Sequence, residues 1–321
     1  MNDIPLIDLA GTADPTRHRR IAAEIAEACE RIGFFGITGH GVPQATIDRI
    51  YDVSRAFFDL PAADKSRVGK TGDVRGGLMY YPFQEERLAA TLGEETPGDL
   101  KESLDFGPGF MGSPWPAAPA DLEAAWRKYF RVLDGLAGKV RKLFAIAIGL
   151  PEDTFDDAFR DHLSSLRVLN YPELDRPPLP GQLRAGAHTD YGYLTILLSE
   201  DKPGGLQVQR RDGTWIDAPA VEDGFIVNIG DAMMRWTEDR WISTPHRAAL
   251  PPADTAEPTR RQSIAFFNNP ARDAVIECLA PFRRNGQAPK YPPITYGEYA
   301  SLRYSQAHPG EQLAGMDEAG P

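Results

Sequence analysis

Cysteine is scarce in this chain: Cys29 and Cys278 are the only two among 321 residues. Two distant thiols exclude a disulfide framework and fit a reduced, cytoplasmic setting. Long apolar runs are missing as well. None approaches the roughly 18 residues of a membrane span, so no membrane partner is expected. The opening MNDIPLIDLAG has no basic stretch followed by an apolar one, so no secretory signal is expected either. There is no surplus of positive charge. Asp and Glu number 46 against 35 Lys and Arg, a net charge of −11, which argues against a nucleic-acid partner. No internal repeat or flexible linker is visible, and nothing in the sequence reports an oligomeric state. What remains is 42% hydrophobic and 25% charged. That is an ordinary globular balance in a chain long enough to bury a sizeable core.

The first half reads as mixed helix and strand. Ile4–Leu9 and Phe34–Ile37 have strand character, and Arg17–Ile32 and Pro43–Phe58 carry helical apolar periods. Residues 69–98 hold six glycines and the aromatics Tyr80, Tyr81 and Phe83, and read as a long irregular connection with short strand pieces. Ala118–Leu150 carries the longest helical pattern, stopped by Gly149 and Pro151. After about residue 164 short strand-like runs alternate with turn signals, which suggests a sandwich or barrel.

One of these runs is Ala187–Ser199, AHTDYGYLTILLS. Read as a strand, it projects His188 and Asp190 from one face. With His246 of the later PHR as third ligand, two imidazoles and a carboxylate would hold one side of a metal and leave other positions open. That donor set suits non-haem Fe(II). Arg261 and Ser263 (RQSIAFFNN) share a face of another strand-like run, where a guanidinium and a hydroxyl can hold a carboxylate. By the same alternation Ala265, Phe267 and Asn269 lie on the face of Ser263, and Arg260 on the other.

The order HTD, PHR, RQS followed by IAFF resembles the Fe(II)/2-oxoglutarate-dependent oxygenases of the isopenicillin N synthase-like type. The resemblance begins at IPLIDL and GFFGITGHGV and extends to YPPITYGEY. It implies a mainly β fold with flanking helices: a double-stranded β-helix, or jelly roll, with an N-terminal helical region. On that reading residues 1–117 form a mixed helix and strand region whose loop 69–98 covers the pocket. Residues 118–163 are a long supporting helix and its connection, 164–270 the catalytic core, and 271–321 a C-terminal segment packed on it, all in one structural unit.

The resemblance implies His188, Asp190 and His246 as iron ligands, and Arg261, Ser263 and Tyr171 (LNYP) as contacts for 2-oxoglutarate. O2 is the other cosubstrate. Candidate contacts for a small-molecule substrate are Arg75, Met79, Tyr80, Tyr81, Arg184, Tyr193, Phe267 and Asn269. The aromatics of 69–98 also read as packing for the loop, and the arginines as surface residues. The implied reaction oxidises an unactivated C–H bond while 2-oxoglutarate becomes succinate and CO2. Hydroxylation comes first, with desaturation or cyclisation as other outcomes. The resemblance also suggests secondary metabolism. Two other readings stay open: a family oxidase that needs no 2-oxoglutarate, of the isopenicillin N synthase or aminocyclopropane-carboxylate oxidase type, and a non-catalytic metal- or ligand-binding jelly roll.

Overall fold

The computed structural model describes residues 3–12, 14–284 and 286–307. Its helices are α1 (Pro15–Arg31), α2 (Gln44–Phe58), the single turn α3 (Ala62–Lys65), α4 (Leu122–Ala147), α5 (Asp231–Trp236) and α6 (Tyr296–Ala307). The strands of the first half are β1 (Leu6–Asp8), β2 (Phe34–Thr38), β3 (Val74–Arg75), β4 (Leu78–Tyr81), β5 (Glu102–Phe106) and β6 (Met111–Gly112). The second half contributes β7 (Ser165–Tyr171), β8 (Ala185–His188), β9 (Leu194–Ser199), β10 (Leu206–Gln209), β11 (Trp215–Ala218) and β12 (Phe225–Ile229). It continues with β13 (His246–Ala248), β14 (Arg261–Asn268), β15 (Val275–Ile276) and β16 (Ile294–Thr295).

Eight strands form the large sheet in the order β1-β2-β12-β9-β14-β7-β5-β4, and four form a smaller one, β11-β10-β13-β8. Together they make the jelly roll. The large sheet obeys period two strictly. Leu104, Phe106, Leu166, Val168, Ile264 and Phe266 join the main core with α1, α2 and α4. Their neighbours Asp105, Arg167, Leu169, Ser263, Ala265 and Phe267 line a cavity on the opposite face. The long helix α4 buries Trp126, Tyr129, Leu133, Val140 and Phe144, and the Trp126 indole donates to Ser54 Oγ of α2 at 3.1 Å. At the head of α1, Asp14 caps by accepting from the Thr16 amide at 2.8 Å, and Pro15 takes the first turn, where no amide is needed.

The structure corrects one reading of the sequence. Ala187–Ser199 is not one strand. It ends as β8 at His188, turns through residues 189–193, and resumes as β9 in the other sheet. The short strand pieces expected within residues 69–98 are β3 and β4, and β4 is the edge strand of the large sheet, paired with β5. Helix α6 had no counterpart in the sequence reading. No helix among the described residues is long and apolar enough to cross a membrane. The tail from Gly310, read from the sequence as frayed, lies outside the described residues.

Candidate active site

The two sheets meet at His188, Asp190 and His246. His188 ends β8 and His246 begins β13, and these two residues are register partners in the smaller sheet. Their rings lie 4.4 Å apart between centroids. Asp190 sits in the turn that carries the chain across to the large sheet. Its backbone is pinned there: the Asp231 amide at the start of α5 donates to Asp190 O at 2.8 Å. The turn comes this close because residue 230 is glycine; a Cβ there would lie 2.3 Å from Gly192 O and 3.0 Å from Asp190 O. One potential ligand atom from each of the three side chains falls within 4.8 Å of the others, the only such metal-sized cluster among the described residues.

Hydrogen bonds aim the donors. His188 Nδ1–H donates to Gly186 O at 2.8 Å and His246 Nδ1–H to Thr244 O at 3.1 Å, so Nε2 of each ring is the free lone pair. Asp190 Oδ2 accepts from Thr195 Oγ at 2.6 Å and from Asn228 Nδ2 at 2.7 Å, while Oδ1 faces His246 Nε2 at 3.7 Å. Burial, and then the neighbouring His246, lower the pKa of His188 to about 3. Burial alone would raise the Asp190 carboxyl, but the two rings and the Thr195 and Asn228 hydrogen bonds outweigh it and hold it below its usual range. Two neutral imidazoles and a carboxylate with open space beside them fit Fe(II).

Two outcomes follow. Asn228→Ala removes one of the two donors that orient Asp190, and Fe(II) affinity should fall about 10–100-fold, measured by anaerobic competition with a chelator. The second concerns pH in the metal-free protein. His188 titrates near 6.5 when unfolded and at about 3 when folded. Between those values the unfolded chain binds more protons, so this ring removes stability as pH falls and nothing above about 6.5. Asp99, whose carboxyl burial pushes up to about 6, acts in the opposite direction. The test therefore compares the acid limb of unfolding with that of His188→Gln, where it should be shallower.

The cavity measures about 580 Å³ and runs from this triad to Tyr171, Arg261 and Ser263. Ser263 Oγ donates to Tyr171 Oη at 3.4 Å, and the Arg261 guanidinium lies 5.0 Å from the centre of the Tyr171 ring. Arg261 is buried, its Nη2 donates to Ser199 Oγ, and its Nε has no partner. No carboxylate among the described residues forms an ion pair with it. A second buried cation, Arg184, lies 5.7 Å from the centre of the same ring. Burial and then Arg261 lower its pKa to about 10. Uncompensated buried positive charge of this kind calls for an anion.

The other sequence candidates divide. Met79, Tyr81, Phe267 and Asn269 line the cavity. Tyr80 does not: alternation along β4 turns it toward Phe57, and its hydroxyl donates to Glu102. Tyr193 is also excluded, because after the turn it points under α4 and packs among Phe144, Phe155, Phe159 and Trp236. Arg184 is fully buried and spends its guanidinium on the carbonyls of Pro203, Gly204 and Thr259. Arg75 is exposed on β3 and lies outside the cavity lining. Arg260 faces away, paired with Asp59 at 2.7 Å. Sequence reasoning missed Asn228, Thr195, Asp105, Arg167 and Glu86, all of which line the cavity. For Asn228, Thr195 and Arg167 the signal was present, a polar or charged residue inside an otherwise apolar strand, as in FIVNI and SLRVLNY; Glu86 lies outside any strand and carried none.

Comparison with known proteins agrees with this geometry. Residues 4–127 match the family model described as the N-terminal region of the non-haem dioxygenase in morphine synthesis, and residues 163–270 that of the 2OG-Fe(II) oxygenase superfamily. The 2-oxoglutarate-Fe(II) type oxidoreductase hxnY of Emericella nidulans is 30% identical, over 95% of this chain and 90% of its own. The naringenin,2-oxoglutarate 3-dioxygenase of Callistephus chinensis is 34% identical, over 86% of this chain and 74% of its own. The crystal structure of a full-length Neurospora crassa protein in complex with α-ketoglutarate superposes with a TM-score of 0.83 at 31% identity, covering 95% of each chain. The chain belongs to the Fe(II)/2-oxoglutarate-dependent oxygenases of the isopenicillin N synthase-like superfamily.

Proposed function

We propose that His188, Asp190 and His246 bind the iron, that Arg261, Ser263 and Tyr171 hold the distal carboxylate of 2-oxoglutarate, and that the enzyme hydroxylates an unactivated C–H bond of a small molecule. One observation carries this reading: a single cavity has an open-sided His-Asp-His cluster at one place and a buried arginine without an ion-pair partner among the described residues at another. Bound Fe(II) would supply the oxidising chemistry, using O2 and the decarboxylation of 2-oxoglutarate to succinate. The protein's own part is placement. Arg261 neutralises the cosubstrate's far carboxylate, and Ser263 and Tyr171 add hydroxyl hydrogen bonds that fix its rotation. The walls Leu169, Leu197, Ala265 and Phe267 keep water from the space between.

The 2-oxoglutarate named for the relatives favours this reading over a family oxidase without it, and over a binding module. The two buried free thiols support a cytoplasmic location. Anaerobically purified protein supplied with Fe(II), O2 and 2-oxoglutarate labelled at C1 should release labelled CO2, and a chelator should stop it. Release that is absent with iron bound, or that survives the chelator, contradicts the assignment.

A further inference from the structure

We propose that the cavity wall at Arg167 is built to read a neutral amide edge. The substrate would then be a compact molecule with an N–H and a carbonyl side by side, as in a lactam, an imide or a ureide. The inference rests on the oxygenase reading only in taking this cavity as the substrate site. Arg167 projects into the cavity from β7, beside Ala265 of β14 and so four residues along that strand from Arg261. It is held rigidly. Nε donates to Asp105 Oδ1 at 2.7 Å, Nη2 to Asp105 Oδ2 at 2.6 Å, and Nη1 to Glu86 Oε1 at 2.9 Å. The Tyr81 ring lies 5.3 Å from the guanidinium carbon.

A guanidinium has five N–H groups, and these contacts use three, leaving one on each terminal nitrogen. Each Asp105 oxygen accepts one of these bonds and keeps a second acceptor site. Donors and acceptors therefore stand next to each other on one wall. Charge decides what they suit. Lys101 pairs with Glu86 from behind, with the two side chains 1% and 4% exposed. Lys101 also lies 3.8 Å from Asp99, which accepts from the amides of Leu88 and Gly186 and is not part of the cavity lining. Each carboxylate of the wall, Glu86 and Asp105, therefore already faces a cation before any ligand arrives. An anion placed on Arg167 would face Asp105 and Glu86, and a cation placed on Asp105 would face the guanidinium. Either would be desolvated without a counter-charge. A neutral group that both donates and accepts satisfies the wall and adds no charge. Met79, Phe110, Leu169 and Phe267 supply apolar surface for the rest of the molecule.

The test uses five fragments built on one six-membered ring: δ-valerolactam, N-methyl-δ-valerolactam, cyclohexanone, piperidinium and cyclohexanecarboxylate. Each is titrated calorimetrically into anaerobic protein charged with Fe(II) and 2-oxoglutarate. The lactam should bind at least about tenfold more tightly than each of the others, since each of those loses or misplaces a hydrogen bond in a desolvated site. Arg167→Gln should bring the fragments to within about twofold of one another. Because Gln leaves the buried Asp105 without its cation, Arg167→Lys, which keeps the charge but not the planar fork, should also lose the preference. Thermal melting identifies a variant that has unfolded.

Tightest binding by piperidinium, by cyclohexanecarboxylate or by cyclohexanone overturns the proposal, as does equal binding of the lactam and its N-methyl form. So does a lactam preference that survives in folded Arg167→Lys. The visible absorption of the same sample reports 2-oxoglutarate on iron. A lactam preference without that absorption would remove the cosubstrate assignment and leave this one standing.

Discussion

Asp190→Ala is expected to abolish Fe(II) binding and, with it, all 2-oxoglutarate turnover. The carboxylate is the only anionic donor of the three, and its charge offsets part of the metal's in a buried site. Loss of a partner that merely orients a ligand costs about 10–100-fold in metal affinity, so loss of the ligand itself should exceed that. The variant also strands Thr195 Oγ and Asn228 Nδ2, both of which donate to Oδ2. Each buried group left unsatisfied costs about 1–3 kcal/mol, so the metal-free variant should melt lower as well. Asp190→Asn separates the two effects. It keeps the size and one acceptor oxygen, so it should recover most of the stability and little of the iron. Iron content after anaerobic desalting and the melting temperature measure the two. A variant that retains iron at wild-type affinity would remove Asp190 from the metal centre.

Arg261→Leu is expected to raise KM for 2-oxoglutarate about 100-fold or more, on the basis of two charge-assisted hydrogen bonds at about 1.5–3 kcal/mol each. The opposite sign is expected for stability without cosubstrate. Arg261 is buried and has an unpartnered Nε, and Arg184 stands near it across the Tyr171 ring. Removing that cation relieves charge that no carboxylate among the described residues pairs with, so the metal-free variant should melt at least as high as the parent. This split identifies a ligand-binding arginine. If it were structural, melting would fall and KM would hold. Arg261→Lys should be intermediate, because it restores the charge but not the bidentate fork.

Legibility in the sequence followed the physics of each element. The run 261–268 is one regular strand inside the large sheet, so alternation placed Arg261, Ser263 and Phe267 on the cavity face, with Asn269 just past its end, and Arg260 on the other. The same rule failed between 187 and 199, because that stretch crosses from one sheet to the other. His188 and Asp190 do converge, but through a turn pinned to α5, and beyond it Thr195 and Leu197 face the cavity although parity with His188 would turn them away. Period two also resolves the aromatic pair that the sequence could not: Tyr81 faces the cavity and Tyr80 the core. Arg184 was read as a surface group since the three carbonyls that bury it come from residues 203, 204 and 259, a tertiary convergence with no local signature. Helix α6 was missed, although its Tyr296, Ala300 and Tyr304 complete the cavity wall.

The most direct test of the central claim is anaerobic visible absorption as Fe(II) and then 2-oxoglutarate are added to metal-free protein. A weak charge-transfer band that requires both, and that is missing in Asp190→Ala, is the predicted result. Iron bound with no band on adding 2-oxoglutarate would contradict the cosubstrate assignment, and a band of full strength in Asp190→Ala would contradict the metal centre.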